Sequence, residues 1–205
     1  MVALRRWIRT NDPSNVQSPG SILGSSPRRR VGEFVGFAAI SLPIAVLLLP
    51  QFNQVVIVSL IRETAQEHGL DPDHFVRMAE IESAFDPFAY HPDSRASGLF
   101  QFLPSTARQY KLQAVFNARA NATAAAALWL DNARVLRKGL GRKPSPGEVY
   151  LAHQQGATGA LKLLRNPKRP AGDVVGYDAV TMNGGTEDMT AHAFAAMWID
   201  RFQRQ

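Results

Sequence analysis

Residues 51–205 carry a series of helix start and stop signals, which constrain the fold more than any other feature of the sequence. Three segments open with a side chain that can cap a helix N-terminus, two of them followed by proline at the first helical position. These segments are Asp71-Pro72, the capping box Ser145-Pro146-Gly147-Glu148, and Thr190. Glycines expected to end helices follow the apolar runs at Gly69, Gly139 and Gly156. Because alternating strand patterns are sparse, we predict a mainly α domain, with its longest helix over residues 117–138.

The composition fits one globular domain preceded by a basic segment. The chain has 205 residues, of which 45% are hydrophobic, and it has no cysteine, which excludes disulfides and thiol chemistry. Of its 23 basic and 17 acidic residues, six arginines and two acids fall in residues 1–33, so the rest of the chain holds 17 basic and 15 acidic residues. Because the basic excess lies mostly outside the domain, we expect no nucleic-acid partner.

The N-terminal part of the chain has the layout of a membrane anchor. Residues 1–33 are basic and rich in Ser, Pro and Gly, and we predict that they are disordered. Three consecutive arginines, at residues 28–30, precede the apolar run of residues 34–50. Such a run is typical of a signal anchor or transmembrane helix, which would place the following domain outside the inner membrane. The alternative is a buried apolar helix that packs on the domain.

Among the residue types that perform catalysis, the sequence favours a carboxylate. The five histidines show no paired metal-ligand spacing, and neither a Gly-x-Ser-x-Gly nucleophile turn nor a Gly-rich phosphate loop occurs. We therefore expect no metal and no cofactor. Glu82 shares a helix with Met78, Ala79 and Phe75, and partial burial there would raise its pKa towards that of a general acid. Asp86 and Asp93, in the following loop, could approach Glu82.

The segment from Glu82 to Ala107 resembles the signature of the soluble lytic transglycosylase (SLT) domain family. The matching positions are Glu82-Ser83-Ala84-Phe85-Asp86-Pro87, then Ala89, Ser94, Ala96, Gly98-Leu99-Phe100-Gln101-Phe102-Leu103-Pro104, and Thr106-Ala107. The resemblance implies a lysozyme-like fold and cleavage of the β-1,4 bond between N-acetylmuramic acid and N-acetylglucosamine in peptidoglycan. It implies that Glu82 acts as both acid and base and that a 1,6-anhydro product forms without water. It further implies that Ser83 bonds the acid or the sugar, that Gln101 contacts the substrate, and that Leu103 forms an apolar wall under the sugar.

A second family motif, Ala-Tyr-Asn-x-Gly, is represented by residues 152–156, Ala-His-Gln-Gln-Gly. His153 replaces the tyrosine that in the family hydrogen-bonds near the catalytic glutamate, and Gln154 replaces the asparagine. Tyr177, four residues after Asp173, resembles a Glu-x-x-x-Tyr element near the substrate cleft. The resemblance therefore implies that His153, Gln154 and Tyr177 contribute to substrate binding.

The leading hypothesis is a membrane-anchored lytic transglycosylase that acts on peptidoglycan in the bacterial periplasm. It would serve a secretion system or, if phage-encoded, a virion. Two alternatives remain open at this point. One is a muramidase that hydrolyses the same bond with Asp86 or Asp93 assisting water, and the other is a non-catalytic wall-binding or structural module.

Overall fold

The computed structural model describes residues 42–204, with side chains from residue 53 onward. Within this range the chain forms eight helices and no strand longer than an isolated bridge, as the predicted mainly α class requires. The helices are α1 (Leu42–Glu67), α2 (Pro72–Ser83), α3 (Pro104–Gln109), α4 (Ala118–Leu140), α5 (Pro146–Arg165), α6 (Ala171–Val175), α7 (Tyr177–Met182) and α8 (Ala191–Gln203).

The predicted disordered segment, and the apolar run as far as residue 41, lie outside the described residues. The remainder of that run, residues 42–50, forms the start of α1, which continues to Glu67 without a break at the predicted boundary between residues 50 and 51. None of the helices in residues 42–204 is both long and apolar enough to cross a membrane.

The predicted N-terminal caps are present. The Asp71 side chain accepts hydrogen bonds from two backbone N–H groups at the start of α2, and the Thr190 side chain accepts one at the start of α8. At the start of α5 the capping box is complete, since Ser145 and Glu148 each accept from the backbone N–H of the other. These bonds satisfy donors that a helix start leaves without partners, so local sequence alone fixes where these helices begin.

Two glycines that were predicted to end helices, one in α4 and one in α5, differ in outcome. Gly139 does not end α4, which continues to Leu140 and is capped by Gly141 with φ 69°. Gly139 is needed for packing instead, because a Cβ there would overlap the Leu161 side chain of α5. At Gly156, where a stop was predicted, the backbone leaves helical geometry with φ 70° and ψ 151°, and the helix then resumes to Arg165. Only glycine adopts such a conformation readily.

The core lies between α5 and its neighbours. α5 packs against α4 on one side and α8 on the other, whereas α1 packs against α2 and α4. Tyr150, in the second turn of α5, is completely buried. A second apolar contact, the stacked pair Phe75 and Phe100 with ring centroids 4.5 Å apart, joins α2 to the loop that follows it. The end of α2 meets the first half of α5 at the hydrogen bond from Tyr150 to Glu82, where the candidate site lies.

Candidate active site

Glu82 lies in the last turn of α2 and is buried, with 4% of its surface exposed. The helix ends one residue later because Ala84 and Phe85 both adopt left-handed backbone conformations, with φ 50° and 67°. Two consecutive non-glycine residues in this region store strain, which the surrounding structure must hold. Burial disfavours the ionised carboxylate and raises the pKa of Glu82 to about 7, which is the direction that its apolar neighbours in the sequence predict.

Two uncharged donors of α5 bind the same oxygen of Glu82. The Tyr150 hydroxyl donates to Oε1 at 3.0 Å, and the Gln154 Nε2 donates to it at 2.7 Å. Gln154 also donates to the Tyr150 hydroxyl oxygen at 2.9 Å, so the three side chains form a closed triangle. These hydrogen bonds and the charge of Arg201 lower the pKa of Glu82, but the burial effect is larger. The glutamate is therefore held firmly without being forced into its ionised form.

His153 lies beside this triangle. Its Nε2 is 3.6 Å from Glu82 Oε1, which is too long for a hydrogen bond, and its ring stacks on Tyr150 with centroids 6.1 Å apart. Burial lowers the pKa of His153 to about 4, so the imidazole is neutral at neutral pH. Its Nδ1 is buried and has no hydrogen-bond partner among the described residues. The glutamate's tyrosine bond thus comes from Tyr150, one turn before Gln154, and not from the motif position that His153 occupies.

The loop after α2 forms the other side of the region around Glu82. Single antiparallel bridges join Tyr90 to Ser97 and Ser97 to Phe102. Gln101, with φ 47°, donates from Nε2 to the carbonyl oxygens of Gly98 at 3.0 Å and Ala89 at 3.2 Å. Gln101 thereby fastens this loop to itself, and its contact with a substrate stays a prediction.

Asn121 of α4 anchors the same loop and was not identified from the sequence. This completely buried side chain accepts a hydrogen bond from the Phe100 N–H at 2.9 Å and donates to the Val115 carbonyl oxygen at 2.8 Å. It lies so close to Gly98 that any side chain at residue 98 would overlap it, and Gly98 has φ 78°. The Gly-Leu-Phe-Gln turn is therefore held by a polar contact with a helix more than twenty positions away in sequence.

The remaining predicted site residues have different surroundings. The Ser83 hydroxyl is buried and donates to the Ala79 carbonyl oxygen of its own helix at 3.2 Å, rather than to Glu82. Leu103 is the partly exposed residue that precedes α3. The Tyr177 hydroxyl donates to Asp173 Oδ1 at 2.9 Å, and its ring lies against Gly172 of α6. Of the predicted set, the structure brings together Glu82, His153 and Gln154.

The two loop acids considered as partners of Glu82 are exposed. Asp86 Oδ1 accepts from the Phe88 N–H at 2.9 Å, which is the side-chain-to-backbone bond of a turn. Asp93 lies in the exposed turn between the bridged segments. Within the described part of the chain, no group of three or more His, Asp or Glu side chains is arranged to hold a metal ion.

Tyr150 is a second side chain of the candidate site that was not identified from the sequence. The Ala-x-x-x-Gly motif directed attention to residue 153, where the family has tyrosine. The relevant signal was helical spacing, because residues 150 and 154 are four apart and therefore share one helix face. That spacing predicts that Tyr150 lies close to any group that Gln154 contacts, which here is Glu82.

Comparison with known proteins shows the family to which the chain belongs. A family model described as "Transglycosylase SLT domain" matches residues 59–173, which is more than half of the chain and includes α2 and α5. No curated protein matches the sequence significantly. The chain therefore belongs to the transglycosylase SLT domain family, whose members are lytic transglycosylases of the lysozyme-like superfamily.

Proposed function

We propose that the protein is a peptidoglycan lytic transglycosylase that cleaves the β-1,4 bond between N-acetylmuramic acid and N-acetylglucosamine and leaves a 1,6-anhydro end. Glu82 is its sole acid and base. The observation that carries this proposal is the environment of Glu82, a buried carboxyl with a pKa of about 7. Such a group exists in both protonation states near neutral pH, as a residue that first gives and then takes a proton requires.

The hydrogen bonds of Glu82 also suit the first step. Both Tyr150 and Gln154 donate to Oε1, so the proton of the neutral acid belongs on the other oxygen, Oε2. In the proposed reaction Oε2 gives this proton to the glycosidic oxygen as the bond from that oxygen to C1 of the muramic acid breaks. The N-acetylglucosamine then leaves as an alcohol. The two donors stabilise the carboxylate that remains on Glu82.

The second step returns the proton. The Glu82 carboxylate takes the proton of the C6 hydroxyl of the same muramic acid, and the C6 oxygen forms a bond to C1. One carbon–oxygen bond has broken, another has formed, and Glu82 is protonated again, so that no water is consumed. Glycosidases that use water usually need a second carboxylate. The polar groups that contact Glu82 here are Tyr150, Gln154 and a neutral His153, which supports a mechanism with one carboxylate.

Product analysis in water labelled with heavy oxygen tests the proposal. Purified peptidoglycan is digested, and the fragments are analysed by mass spectrometry. We expect fragments that lack one water relative to hydrolysis products and carry no label. Labelled reducing ends would indicate a muramidase and refute the transglycosylase mechanism. Glu82→Gln should release no fragments while it remains folded, and Glu80→Gln, an exposed carboxylate on the same helix, should retain the activity of the unmodified protein.

Besides a transglycosylase and a muramidase, the same experiment can reveal a protein without catalytic activity. If neither the unmodified chain nor Glu82→Gln releases fragments but both sediment with peptidoglycan sacculi, the protein is a wall-binding module. In that case Glu82→Gln should also support the cellular function. The enzyme proposal requires the opposite, a loss of wall cleavage with binding retained.

We also propose that residues 34–50 anchor the protein in the bacterial inner membrane, with the catalytic domain in the periplasm. The three arginines before an uncharged apolar run support this orientation. The chain has no native cysteine, so single cysteines report topology cleanly. An impermeant thiol reagent added to spheroplasts should label Ser105→Cys, which is exposed on the domain, but not Ser26→Cys before the apolar run. Labelling of both residues or of neither would contradict this topology.

A compact domain behind a basic anchor suits local opening of the wall, so we further propose that the enzyme serves a secretion system or, if phage-encoded, a virion. Mild cross-linking of cells that express the full chain, followed by purification, tests this part. Recovery of the chain with an envelope-spanning assembly or with virus particles would support it. Recovery as an isolated membrane protein would argue for general wall turnover.

A further inference from the structure

The terminal helix α8 lies beyond the part of the chain that matches the family model, yet it packs on the residues that hold Glu82. The ring of Phe202 stacks on the ring of Tyr150 with centroids 5.1 Å apart and an angle of 29° between the planes. Trp198 meets the same ring edge-on at 6.4 Å. All three side chains are at least 96% buried. Two aromatic side chains of α8 therefore pack directly on the Tyr150 ring.

Arg77 of α2 fastens the end of α8. Its Nε donates to the Phe202 carbonyl oxygen at 3.2 Å, and its Nη2 donates to the Arg201 carbonyl oxygen at 3.0 Å. Carbonyl groups in the last turn of a helix lack partners within that helix, so a guanidinium is well suited to satisfy them. Arg77 lies on the helix that also carries Glu82, five positions earlier. The end of α8 is thus tied to the scaffold of the catalytic glutamate.

We propose that the end of α8 is a positioning element of the active site, in which Arg77 fastens the helix and Phe202 holds the Tyr150 ring so that its hydroxyl stays on Glu82. This inference rests on the proposed function. Arg77 and Phe202 are positioning residues, since neither contacts Glu82 directly. Their effect passes through one hydrogen bond, the 3.0 Å contact between the Tyr150 hydroxyl and Glu82 Oε1.

The physical basis is the sensitivity of proton transfer to geometry. A misplacement of about 1 Å at a catalytic group lowers rates by about a hundredfold. Phe202 supplies a flat face against which the Tyr150 ring is fixed, whereas a leucine at residue 202 would keep much of the apolar volume but not that face. We therefore use Phe202→Leu as the test variant, since a smaller residue would leave a large cavity and endanger folding.

A double-mutant cycle separates positioning from simple stability. We expect Tyr150→Phe to lower kcat by about tenfold to a hundredfold, and Phe202→Leu to lower it by about tenfold with little change in KM. If Phe202 acts through the tyrosine hydroxyl, Phe202→Leu lowers kcat by less than about twofold once that hydroxyl is absent. Independent effects that multiply in the double variant would refute the proposal, because a role in stability alone does not depend on the hydroxyl.

Arg77 is tested against a matched control on the same helix. Arg77 Nη1 also forms an ion pair with Glu80 at 2.7 Å, and this pair does not involve α8. Glu80→Gln removes the charge of that pair and leaves the carbonyl contacts of Arg77 in place, so we expect kcat to remain unchanged. Arg77→Ala removes both the ion pair with Glu80 and the contacts with the carbonyl groups of α8, and we expect a fall in kcat similar to that of Phe202→Leu. Equal kcat for Arg77→Ala and the unmodified protein would overturn the role of Arg77.

A measurement that does not require enzymatic activity tests the positioning role separately from the proposed function. The pKa of Glu82 can be followed by carbon NMR of its carboxyl group, assigned by its absence from Glu82→Gln. The Tyr150 hydrogen bond and the charge of Arg201 of α8 lower this pKa, and the other titratable group near Glu82 is His153 of α5, 3.6 Å away. Because the tyrosine hydrogen bond lowers this pKa, Tyr150→Phe and Phe202→Leu should each raise it.

The double variant decides the outcome of the NMR experiment. The proposal predicts no further rise in the Glu82 pKa when Phe202→Leu is added to Tyr150→Phe. Full additivity would refute the positioning role even in a protein that proves inactive on peptidoglycan. An inactive unmodified protein with a non-additive NMR cycle would refute the proposed function alone.

Discussion

Replacement of Glu82 by glutamine should change how the stability of the protein depends on pH. The substitution keeps the size of the side chain and an oxygen that can accept from Tyr150 and Gln154, but it removes the titrating proton. In the unfolded chain Glu82 ionises with its ordinary pKa of 4.5, whereas in the folded protein burial raises its pKa to about 7. Between these two values the folded state binds more protons than the unfolded state.

This difference in pKa determines the sign and the size of the effect of pH on the free energy of unfolding. The contribution of Glu82 to stability is complete below about pH 4.5 and is lost as the pH rises to about 7, because the unfolded state ionises first. A pKa that rises from 4.5 to about 7 corresponds to about 3 kcal/mol. Glu82→Gln lacks this titration. Its free energy of unfolding, relative to that of the unmodified protein, should therefore increase by about 3 kcal/mol between about pH 4 and about pH 8.

Urea denaturation of both proteins across this range measures the effect. The difference in free energy of unfolding should grow steadily from about pH 4.5 to about pH 7 and then level off. Glu80→Gln is the control, because Glu80 is exposed, and its difference from the unmodified protein should change by less than about 0.5 kcal/mol over the same range. A constant difference for Glu82→Gln would show that the glutamate ionises at its ordinary pKa, and the argument from burial would then be wrong.

Three further predictions concern the same region. The kcat/KM of the unmodified protein should fall above about pH 7 as Glu82 loses its proton, and an activity that remains level to about pH 9 in steady-state assays would contradict this. The free energy of unfolding of His153→Gln, relative to that of the unmodified protein, should increase by about 3 kcal/mol as the pH falls from 6.5 to about 4, again measured with urea, because the buried imidazole resists protonation only in the unmodified protein. Gly98→Ala should destabilise the fold by about 2–4 kcal/mol through overlap with the Val115 carbonyl oxygen, whereas Gly159→Ala, which meets only ordinary contacts, should not lower the melting temperature.

Helix starts were predictable from the sequence because they depend on a few neighbouring residues. Asp71, Ser145 with Glu148, and Thr190 each cap the helix that follows them, and each bond joins residues no more than three positions apart. Helix ends were less predictable. Gly139 has the local chemistry of a stop, but the close approach of Leu161 from another helix is what requires glycine there. A contact between helices leaves no signature in the local pattern.

The candidate site was predictable only in part for the same reason. Glu82 was identifiable because its apolar neighbours and its motif lie close to it in sequence. The bond from Tyr150 spans 68 positions and that from Asn121 to the Phe100 N–H spans 21, so both depend on how helices pack. The family resemblance directed the search for a tyrosine to residue 153 and therefore away from the tyrosine that the fold uses.

One physical cause moves the pKa values of Glu82 and His153 in opposite directions. Burial raises the pKa of Glu82 to about 7 and lowers that of His153 to about 4, because in each case it disfavours the charged form. Both side chains are consequently neutral just below neutral pH, although a glutamate and a histidine 3.6 Å apart would form an ion pair if water reached them. A protonated histidine there would stabilise the carboxylate and lower the pKa of Glu82, which would weaken it as an acid. The buried, neutral imidazole keeps the position of the family tyrosine filled without this effect, and it leaves Tyr150 and Gln154 to orient the glutamate. The departure at residue 153 is therefore compatible with acid catalysis by Glu82 as long as the site stays dry.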